Sequence, residues 1–249
     1  MKFPSPLIKA KLIKRYKRFL ADIELEDGTL TTVHCPNPGS MMGLKEPGSI
    51  VWISKASNPN RKLSHTLELI NLPARGNTLV GVNTNQANKV AQEAITSGLF
   101  PQFGPFDDLR REVKYGENSR IDILLSAQNN GRTVKTYIEV KSVTLQRHDD
   151  LHEFPDGVTE RGRKHLVELS NITQMGDRAI MLYLIQRNDG DKFTFARDID
   201  PQYCDAFEKA AAKGVEAYAI RCKISSEEIV AEKMIEIVKP VTGQNNDLC

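Results

Sequence analysis

Apolar and polar positions alternate most regularly between residues 119 and 145. Residues 119–126 and 136–145 are rich in β-branched and aromatic side chains, and the polar stretch between them contains Gln-Asn-Asn-Gly. β-Branched and aromatic residues favour strands, and an Asn-Gly pair favours a tight turn between two strands. The pattern therefore predicts an antiparallel hairpin whose second strand is apolar enough to be central in a sheet.

Three charged residues interrupt the apolar pattern of this hairpin. Glu139 and Lys141 lie two positions apart, so they share one face of the second strand, and Asp122 lies on the first strand between two isoleucines. Two carboxylates that converge repel each other unless a hard cation lies between them. A lysine beside such a cation can orient water or stabilise negative charge on a phosphate. We therefore predict that Asp122 and Glu139 bind Mg²⁺ or Mn²⁺ and that Asp122, Glu139 and Lys141 are catalytic.

A second interpretation of these charges is the ordinary solvated face of an antiparallel sheet. Three features favour a functional site instead. The second strand is otherwise apolar, the aspartate lies on the neighbouring strand, and a basic helix follows in the sequence.

The first 82 residues contain several short alternating segments. Residues 7–25 predict one long strand with a positive face, and Asp27-Gly28 predicts a hairpin turn. Further short strands are predicted at residues 29–34, 49–54, 66–72 and 78–82. Five or so strands in about 80 residues are typical of a small barrel of the OB type, a fold that commonly binds nucleic acid.

Charge is distributed unevenly along the chain. Residues 1–82 contain 12 Lys and Arg against 6 Asp and Glu, whereas the remaining residues contain 22 against 26. Arg15, Lys17 and Arg18 form a basic cluster together with the aromatic residues Tyr16 and Phe19, which can stack on bases. We predict that this cluster binds nucleic acid. The alternative is a charged strand that protects a sheet edge.

After residue 83 the pattern switches between helical and strand periods, which predicts an α/β domain. A helix is predicted at 84–97 with Thr84 as its N-cap, and a strand at 109–115 in which Glu112 faces the same side as Asp122 and joins the catalytic residues. Residues 148–152 are expected to be polar and mobile. Later elements are predicted as a strand at 179–186, a helix at 201–213, strands at 216–223 and 228–238, and a frayed tail at 242–249.

A basic helix is predicted to begin after Thr159 and to extend to residue 175. Arg161, Lys164 and His165 are spaced i, i+3 and i+4, so they gather on one face of its first two turns. Beside an acidic site they would bind a phosphate backbone. The alternative is a surface helix whose basic residues pair with Glu160 and Glu168.

Composition narrows the class of protein. Charged residues make up 27% and hydrophobic residues 40% of the chain, as in ordinary globular proteins. No apolar run approaches a membrane span and no signal-peptide segment is recognisable, so we expect a cytoplasmic protein that does not contact a membrane. The four cysteines are scattered and are expected to be reduced, and the scattered histidines do not suggest a zinc site.

The combination of Asp122 with Glu139-Val140-Lys141 resembles the PD-(D/E)XK nuclease signature, with Arg120 and Ile121 where a strict signature has Pro before Asp. The wider chain resembles the sugar fermentation stimulation protein A family. The matching segments are residues 15–22, 34–37, 82–84, 119–122, 137–145, 154–156 and 158–162.

The resemblance implies an α+β protein of two domains. An OB-like barrel would occupy residues 1–82, a restriction-endonuclease-like α/β domain residues 83–240, and a flexible tail residues 241–249. It also implies non-specific DNA binding and a regulatory link to maltose metabolism.

Three classes of function remain open from the sequence. The first is a DNA-binding regulator that retains an acidic pocket without using it, and the second is a Mg²⁺-dependent or Mn²⁺-dependent DNA nuclease. A regulator of specific genes usually has a base-reading element, and no helix-turn-helix signature is present. The third class, an enzyme acting on a sugar, has little support because we find neither a phosphate-binding loop nor a convincing pair of glycosidase carboxylates.

Overall fold

The first six strands form a small closed barrel. The structure is a computed structural model that describes residues 1–116 and 119–238. The strands are β1 (Ile8–Tyr16), β2 (Leu20–Leu25), β3 (Leu30–His34), β4 (Ile50–Lys55), β5 (His65–Leu72) and β6 (Thr78–Gly81). Their order is β3-β2-β1-β4-β5-β6, and pairing of His34 with Thr66 joins β3 to β5 and closes the barrel. The predicted OB-like fold is therefore confirmed.

Alternation explains the core of the barrel. The inward-facing residues are small or branched apolar side chains, and the residues between them face outward, as a strand with one buried face requires. Fully buried examples are Leu12, Ala21, Ile23, Val33, Val51, Ile53 and Leu67.

The prediction of one long strand over residues 7–25 is wrong. The chain reverses at Lys17 and Arg18, which have φ angles of 47° and 63°, and β1 pairs antiparallel with β2. Local propensity did not indicate this turn because neither residue is Gly, Asn or Asp, the types that usually adopt positive φ. The tertiary structure imposes it, because β1 pairs with both β2 and β4.

The second part of the chain forms a mixed sheet with helices on both faces. Its strands are β7 (Asp108–Tyr115), β8 (Ser119–Asn129), β9 (Arg132–Val143), β10 (Leu145–His148), β11 (Asp150–Phe154), β12 (Arg178–Ile185), β13 (Gly190–Phe195), β14 (Glu216–Ile224) and β15 (Ile229–Ile237). The helices are α1 (Ala87–Thr96), α2 (Glu160–Gln174) and α3 (Pro201–Ala212). Short 3₁₀ turns occur at Pro73–Arg75, Thr84–Gln86 and Pro101–Phe103.

Strand order places the hairpin of interest inside this sheet. Among the described residues the order is β10-β11-β13-β15-β14-β12-β9-β8-β7. The predicted hairpin is the antiparallel pair β8–β9, and β9 also pairs in parallel with β12. Helix α1 packs on the face that carries Ile138 and Val140, while α2 and α3 pack on the opposite face. The predicted α/β organisation and the central position of β9 are confirmed.

Residues 148–152 are ordered, contrary to prediction. They belong to β10 and β11, and β11 pairs in parallel with β13, a strand that the sequence pattern did not predict. His152 is fully buried, and its Nε2 lies 3.1 Å from the Gly190 carbonyl oxygen. A polar segment becomes ordered here because its pairing partner lies about 40 residues further along the chain.

Most other boundaries agree with the predicted elements to within a few residues. Thr159 caps α2 by accepting a hydrogen bond from the Gly162 amide at 3.0 Å, as predicted. The predicted N-cap of α1 is wrong, because Asn83 instead accepts from the Asn85 amide and the 3₁₀ turn precedes α1. The predicted tail at 242–249 and the predicted boundary at 240 lie outside the described residues.

Two further predictions concern cysteines and membrane spans. Cys35, Cys204 and Cys222 are free and buried, as predicted, and Cys249 lies outside the described residues. Within residues 1–116 and 119–238, none of the helices has the length and apolarity required to cross a membrane.

A buried carboxylate joins the barrel to the first helix of the second part. Glu68 on β5 is 3% exposed and accepts hydrogen bonds from Ser54 Oγ at 2.7 Å, Asn83 Nδ2 at 2.8 Å and Gln86 Nε2 at 3.1 Å. Leu69 of the same strand belongs to the apolar core beneath α1. The two parts of the chain therefore share both a polar junction and a hydrophobic core.

Candidate functional site

Strands β8 and β9 separate at the position where the acidic residues lie. Their paired register runs from Asn129–Arg132 to Ile123–Ile138, and the next opposed pair would be Asp122 and Glu139. Asp122 instead directs Oδ2 to the Val140 amide, which donates a hydrogen bond of 2.7 Å. The separation of the strands therefore opens space for side chains between them.

Helix α1 holds the other oxygen of Asp122. Asn88 Nδ2 donates to Asp122 Oδ1 at 2.7 Å and lies 3.4 Å from Glu112 Oε1. Glu112 on β7 lies opposite Asp122 in register, has a φ angle of 52° and is exposed. The structure therefore places Glu112 on the same side as Asp122, as predicted, although Glu112 lies at the solvent edge.

Glu139 is the most enclosed acid of the group, with 3% exposure. Its Oε1 accepts from Lys141 Nζ at 2.7 Å and also contacts His165 Nδ1. Lys141 Nζ lies 3.5 Å from the same His165 nitrogen. The predicted shared face of Glu139 and Lys141 is confirmed, and Glu139 Oε2 has no hydrogen-bond partner among the described residues.

The environments of the two acids shift their pKa values in opposite directions. Burial, reinforced by the nearby charge of Glu139, raises the pKa of Asp122 to about 6, against the opposing effect of the Val140 amide. Burial also disfavours ionised Glu139, but Lys141 and His165 outweigh it and hold the pKa of Glu139 below its ordinary value. The pair therefore contains one firmly ionised carboxylate and one that is protonated more easily.

The three basic residues predicted on α2 do not share one exposed face. Arg161 and Lys164 are exposed, but the His165 side chain is only 4% exposed and points to Glu139. The prediction that His165 faces solvent with the other two is therefore wrong, because the helix register turns it toward the sheet. Lys164 Nζ lies 3.8 Å from Glu168 Oε1, as the alternative interpretation expected.

The basic cluster of the barrel is also divided by the fold. Arg15 Nη2 donates to the carbonyl oxygens of Asn37 and Gly39 at 2.8 and 2.9 Å, so its guanidinium braces a loop. Lys17 and Arg18 are exposed at the β1–β2 turn. Of the cluster, these two residues are the ones that face solvent without a structural role in that loop.

The aromatic residues of the cluster differ in the same way. Tyr16 Oη donates to Asp22 at 2.9 Å and its ring lies 5.2 Å from Lys14 Nζ. Phe19 is 43% exposed, and its ring stacks with His34 at a centroid distance of 6.4 Å. Phe19 is therefore accessible to a base, whereas Tyr16 is engaged within the barrel.

Sequence reasoning missed four residues that surround the acids: Asn88, Tyr115, His165 as a partner of Glu139, and Glu168. A signal existed for two of them. His165 and Glu168 occupy the helical spacing of the buried residues Leu169 and Ile172, so they are polar residues at core positions of α2. A polar residue at a core position requires a partner, and here the partners lie on the sheet.

The acidic residues offer oxygen ligands for a divalent metal. Within residues 1–116 and 119–238, no group of three or more His, Cys, Asp or Glu side chains is already arranged around a metal position. Asp122 and Glu139 nevertheless supply carboxylate oxygens, the ligands that Mg²⁺ and Mn²⁺ prefer. The unpartnered Oε2 of Glu139 fits such a cation.

Comparison with known families covers both parts of the chain. Residues 13–82 match the family described as SfsA N-terminal OB domain, and residues 85–228 match the family described as Sugar fermentation stimulation protein RE domain.

Relatives extend the match over nearly the whole length. The sugar fermentation stimulation protein homolog of Rhizobium meliloti is 50% identical over 241 residues, which cover 97% of this chain and 98% of the relative. The homolog of Maricaulis maris is 49% identical over 237 residues, which cover 95% of this chain and all of the relative. The structure of Pyrococcus furiosus SfsA in complex with Ca²⁺ has a TM-score of 0.84, 22% identity, and coverage of 96% of this chain and 98% of that one.

Proposed function

Because this chain belongs to the sugar fermentation stimulation protein family, and because its acidic cluster is intact, we propose that it binds DNA and hydrolyses phosphodiester bonds with Mg²⁺ or Mn²⁺. The observation that carries this proposal is the contact among Glu139, Lys141 and His165 beside Asp122, with Glu139 Oε2 still unpartnered among the described residues.

Asp122 and Glu139 would hold the cation, which when bound supplies a Lewis acid and lowers the pKa of its water. The relative from Pyrococcus furiosus was solved in complex with Ca²⁺, and Ca²⁺ takes oxygen ligands as Mg²⁺ does. That relative supports a divalent cation in this chain as well.

The chain's own residues have separate tasks in this proposal. Lys141 presents an ammonium group that can stabilise charge on a phosphate oxygen or hold a water proton. His165 contacts Glu139 from α2 and orients its carboxylate. Asn88 and the Val140 amide fix both oxygens of Asp122.

Exposed basic side chains support the choice of DNA as the partner. Lys17 and Arg18 lie at the turn of the barrel beside Phe19, and Arg161 and Lys164 lie on the first turns of α2. Cationic side chains that reach phosphates supply sequence-independent affinity, so this distribution fits non-specific binding.

Cleavage is tested by incubating supercoiled plasmid with the purified protein and Mn²⁺. We expect Lys141→Ala to nick the plasmid at least about 10²-fold more slowly, with nearly unchanged DNA affinity, because the lysine acts on the reacting phosphate. The matched control is Lys209→Ala, an exposed lysine on α3. The proposal of hydrolysis fails if the wild type nicks no faster than Lys141→Ala and Glu139→Ala.

DNA binding is tested by the salt dependence of affinity. Neutralising Lys17 and Arg18 to Gln should lower the slope of log affinity against log salt by roughly one unit for each phosphate that the protein no longer neutralises. Arg15→Gln is the matched control, because Arg15 braces a loop and should change stability more than the slope. An unchanged slope in the Lys17/Arg18 variant would exclude this turn from the DNA-binding surface.

A second candidate function is DNA binding without hydrolysis, in a regulator linked to maltose metabolism. It is favoured by one observation: Lys141 and His165 both contact Glu139 Oε1, so the protein's own groups can balance this carboxylate. This candidate predicts DNA binding that does not depend on metal and no metal-dependent nicking. The link to maltose metabolism stays a prediction.

A further inference from the structure

Three buried oxygen atoms near the acidic pair have no hydrogen-bond partner in the described parts of the chain. They are Glu139 Oε2, Glu168 Oε2 and Tyr115 Oη. Their residues are 3%, 9% and 8% exposed, so each is at least nine-tenths buried. Buried polar atoms are nearly always hydrogen-bonded, because an unpaired one forfeits its interaction with water. Three together require a physical cause.

The three atoms belong to one neighbourhood. His165 contacts Glu139, and Glu168 lies three residues further along α2, on the same helix face. Burial and then the charges of Glu139 and Glu168 raise the pKa of the Tyr115 phenol above its ordinary value, which places Tyr115 beside both acids.

The turn after Tyr115 also closes over Glu168. A Cβ atom built on Gly116 would lie 3.1 Å from Glu168 Oε1, and the Gly116 φ angle is 58°. Glycine at this position therefore permits the close approach of the turn to the carboxylate.

The positive groups nearby do not serve these oxygens. Lys141 and His165 both contact Oε1 of Glu139, and Lys164 approaches Oε1 of Glu168 from the solvent side at 3.8 Å. The two Oε2 atoms and the Tyr115 hydroxyl thus form an oxygen-lined position whose negative charge is uncompensated by the described residues. Hard divalent cations bind such oxygen ligands.

We propose that Glu168 is a third metal-binding carboxylate, and that Glu139 Oε2, Glu168 Oε2 and Tyr115 Oη together bind a hard divalent cation. The inference rests on the proposed function in one respect, namely that Glu139 is a metal ligand. It adds two residues, Glu168 and Tyr115, that lie outside the Asp122–Glu139–Lys141 signature.

The test is calorimetric titration of the metal-free protein with Mn²⁺, with thermal unfolding measured on the same samples. We expect Glu168→Gln, which keeps the size of the side chain and removes its charge, to weaken Mn²⁺ binding at least about tenfold or to abolish one binding event. The rise in Tm that Mn²⁺ produces in the wild type should shrink in parallel, because a ligand stabilises the state that binds it. Glu160→Gln, an exposed acid on the first turn of the same helix, should behave as wild type.

Asp122→Asn separates this inference from the proposed function. If Asp122→Asn weakens Mn²⁺ binding and Glu168→Gln does not, the Glu168 site is overturned and the proposed metal site stands. If neither variant changes the heats, both fail. If Glu168→Gln does not fold, Tyr115→Phe provides the same test, since it removes one oxygen and keeps the ring. Wild-type binding in that variant overturns the proposal.

Discussion

Two glutamates in this protein are equally buried but are treated in opposite ways. Glu68 and Glu139 are each 3% exposed. The carboxylate of Glu68 accepts hydrogen bonds from three neutral side chains, which satisfy both of its oxygens. Glu139 has Lys141 and His165 on one oxygen and no partner on the other among the described residues.

The difference indicates what each buried charge does. At Glu68 every donor comes from the barrel or from the start of α1, so the carboxylate joins two parts of the chain and has no hydrogen-bonding capacity left to bind a ligand. At Glu139 the described part of the protein leaves an oxygen unused and places a second acid of raised pKa nearby. Such incomplete satisfaction is costly for folding, and it is typical of sites that bind a ligand.

The largest expected effect is at the junction. Glu68→Gln replaces one accepting oxygen by an amide group that faces Asn83 and Gln86, both of which are donors there. We expect a loss of about 3 kcal/mol in the free energy of unfolding, because buried donors are left unpaired. Denaturant unfolding measures it, with the exposed Glu46→Gln as control. A loss below about 1 kcal/mol would mean that Glu68 is not a structural junction.

The next effect has the opposite sign and lies at the site. Asp122→Asn removes the acid whose pKa is raised to about 6 by burial and by Glu139. At pH 7 the ionised Asp122 disfavours the folded state, so we expect the variant to be more stable than the metal-free wild type by about 2 kcal/mol.

The pH dependence of stability follows from the direction of that pKa shift. The folded wild type takes up a proton on Asp122 below about pH 6, whereas the unfolded chain does so near 3.8. Wild-type stability therefore gains from this group as the pH falls from about 6 to about 4, and the advantage of Asp122→Asn should disappear over that range. An advantage that is the same at about pH 4 and about pH 7 would contradict the assigned cause.

The smallest effect concerns a second contact between the barrel and the rest of the chain. A Cβ atom on Gly39 would collide with Asp156 Oδ2, so Gly39→Ala must displace that carboxylate. We expect a loss of about 1 kcal/mol by crowding. The loss should largely vanish in an Asp156→Ala background, where the obstruction is absent, and the cycle of single and double variants measures this coupling. Equal losses in both backgrounds would show that the contact is unimportant.

Much of the site was predictable from local patterns. The period of two along β9 places Glu139 and Lys141 on one face, and the apolar residues around Asp122 indicate its strand. The cap at Thr159 and the helical spacing that follows predict α2. These features depend on neighbours within a few residues, so the sequence by itself determined them.

The tertiary structure decided the rest. The separation of β8 and β9 beyond Ile123–Ile138 and the turn at Lys17 and Arg18 have no local signal, and each depends on pairing with distant strands. His165 reaches Glu139 across 26 residues of sequence because α2 packs on the face of the sheet that carries Glu139. Periodicity states which side of a helix is buried, but only the packing of that helix determines which carboxylate it meets.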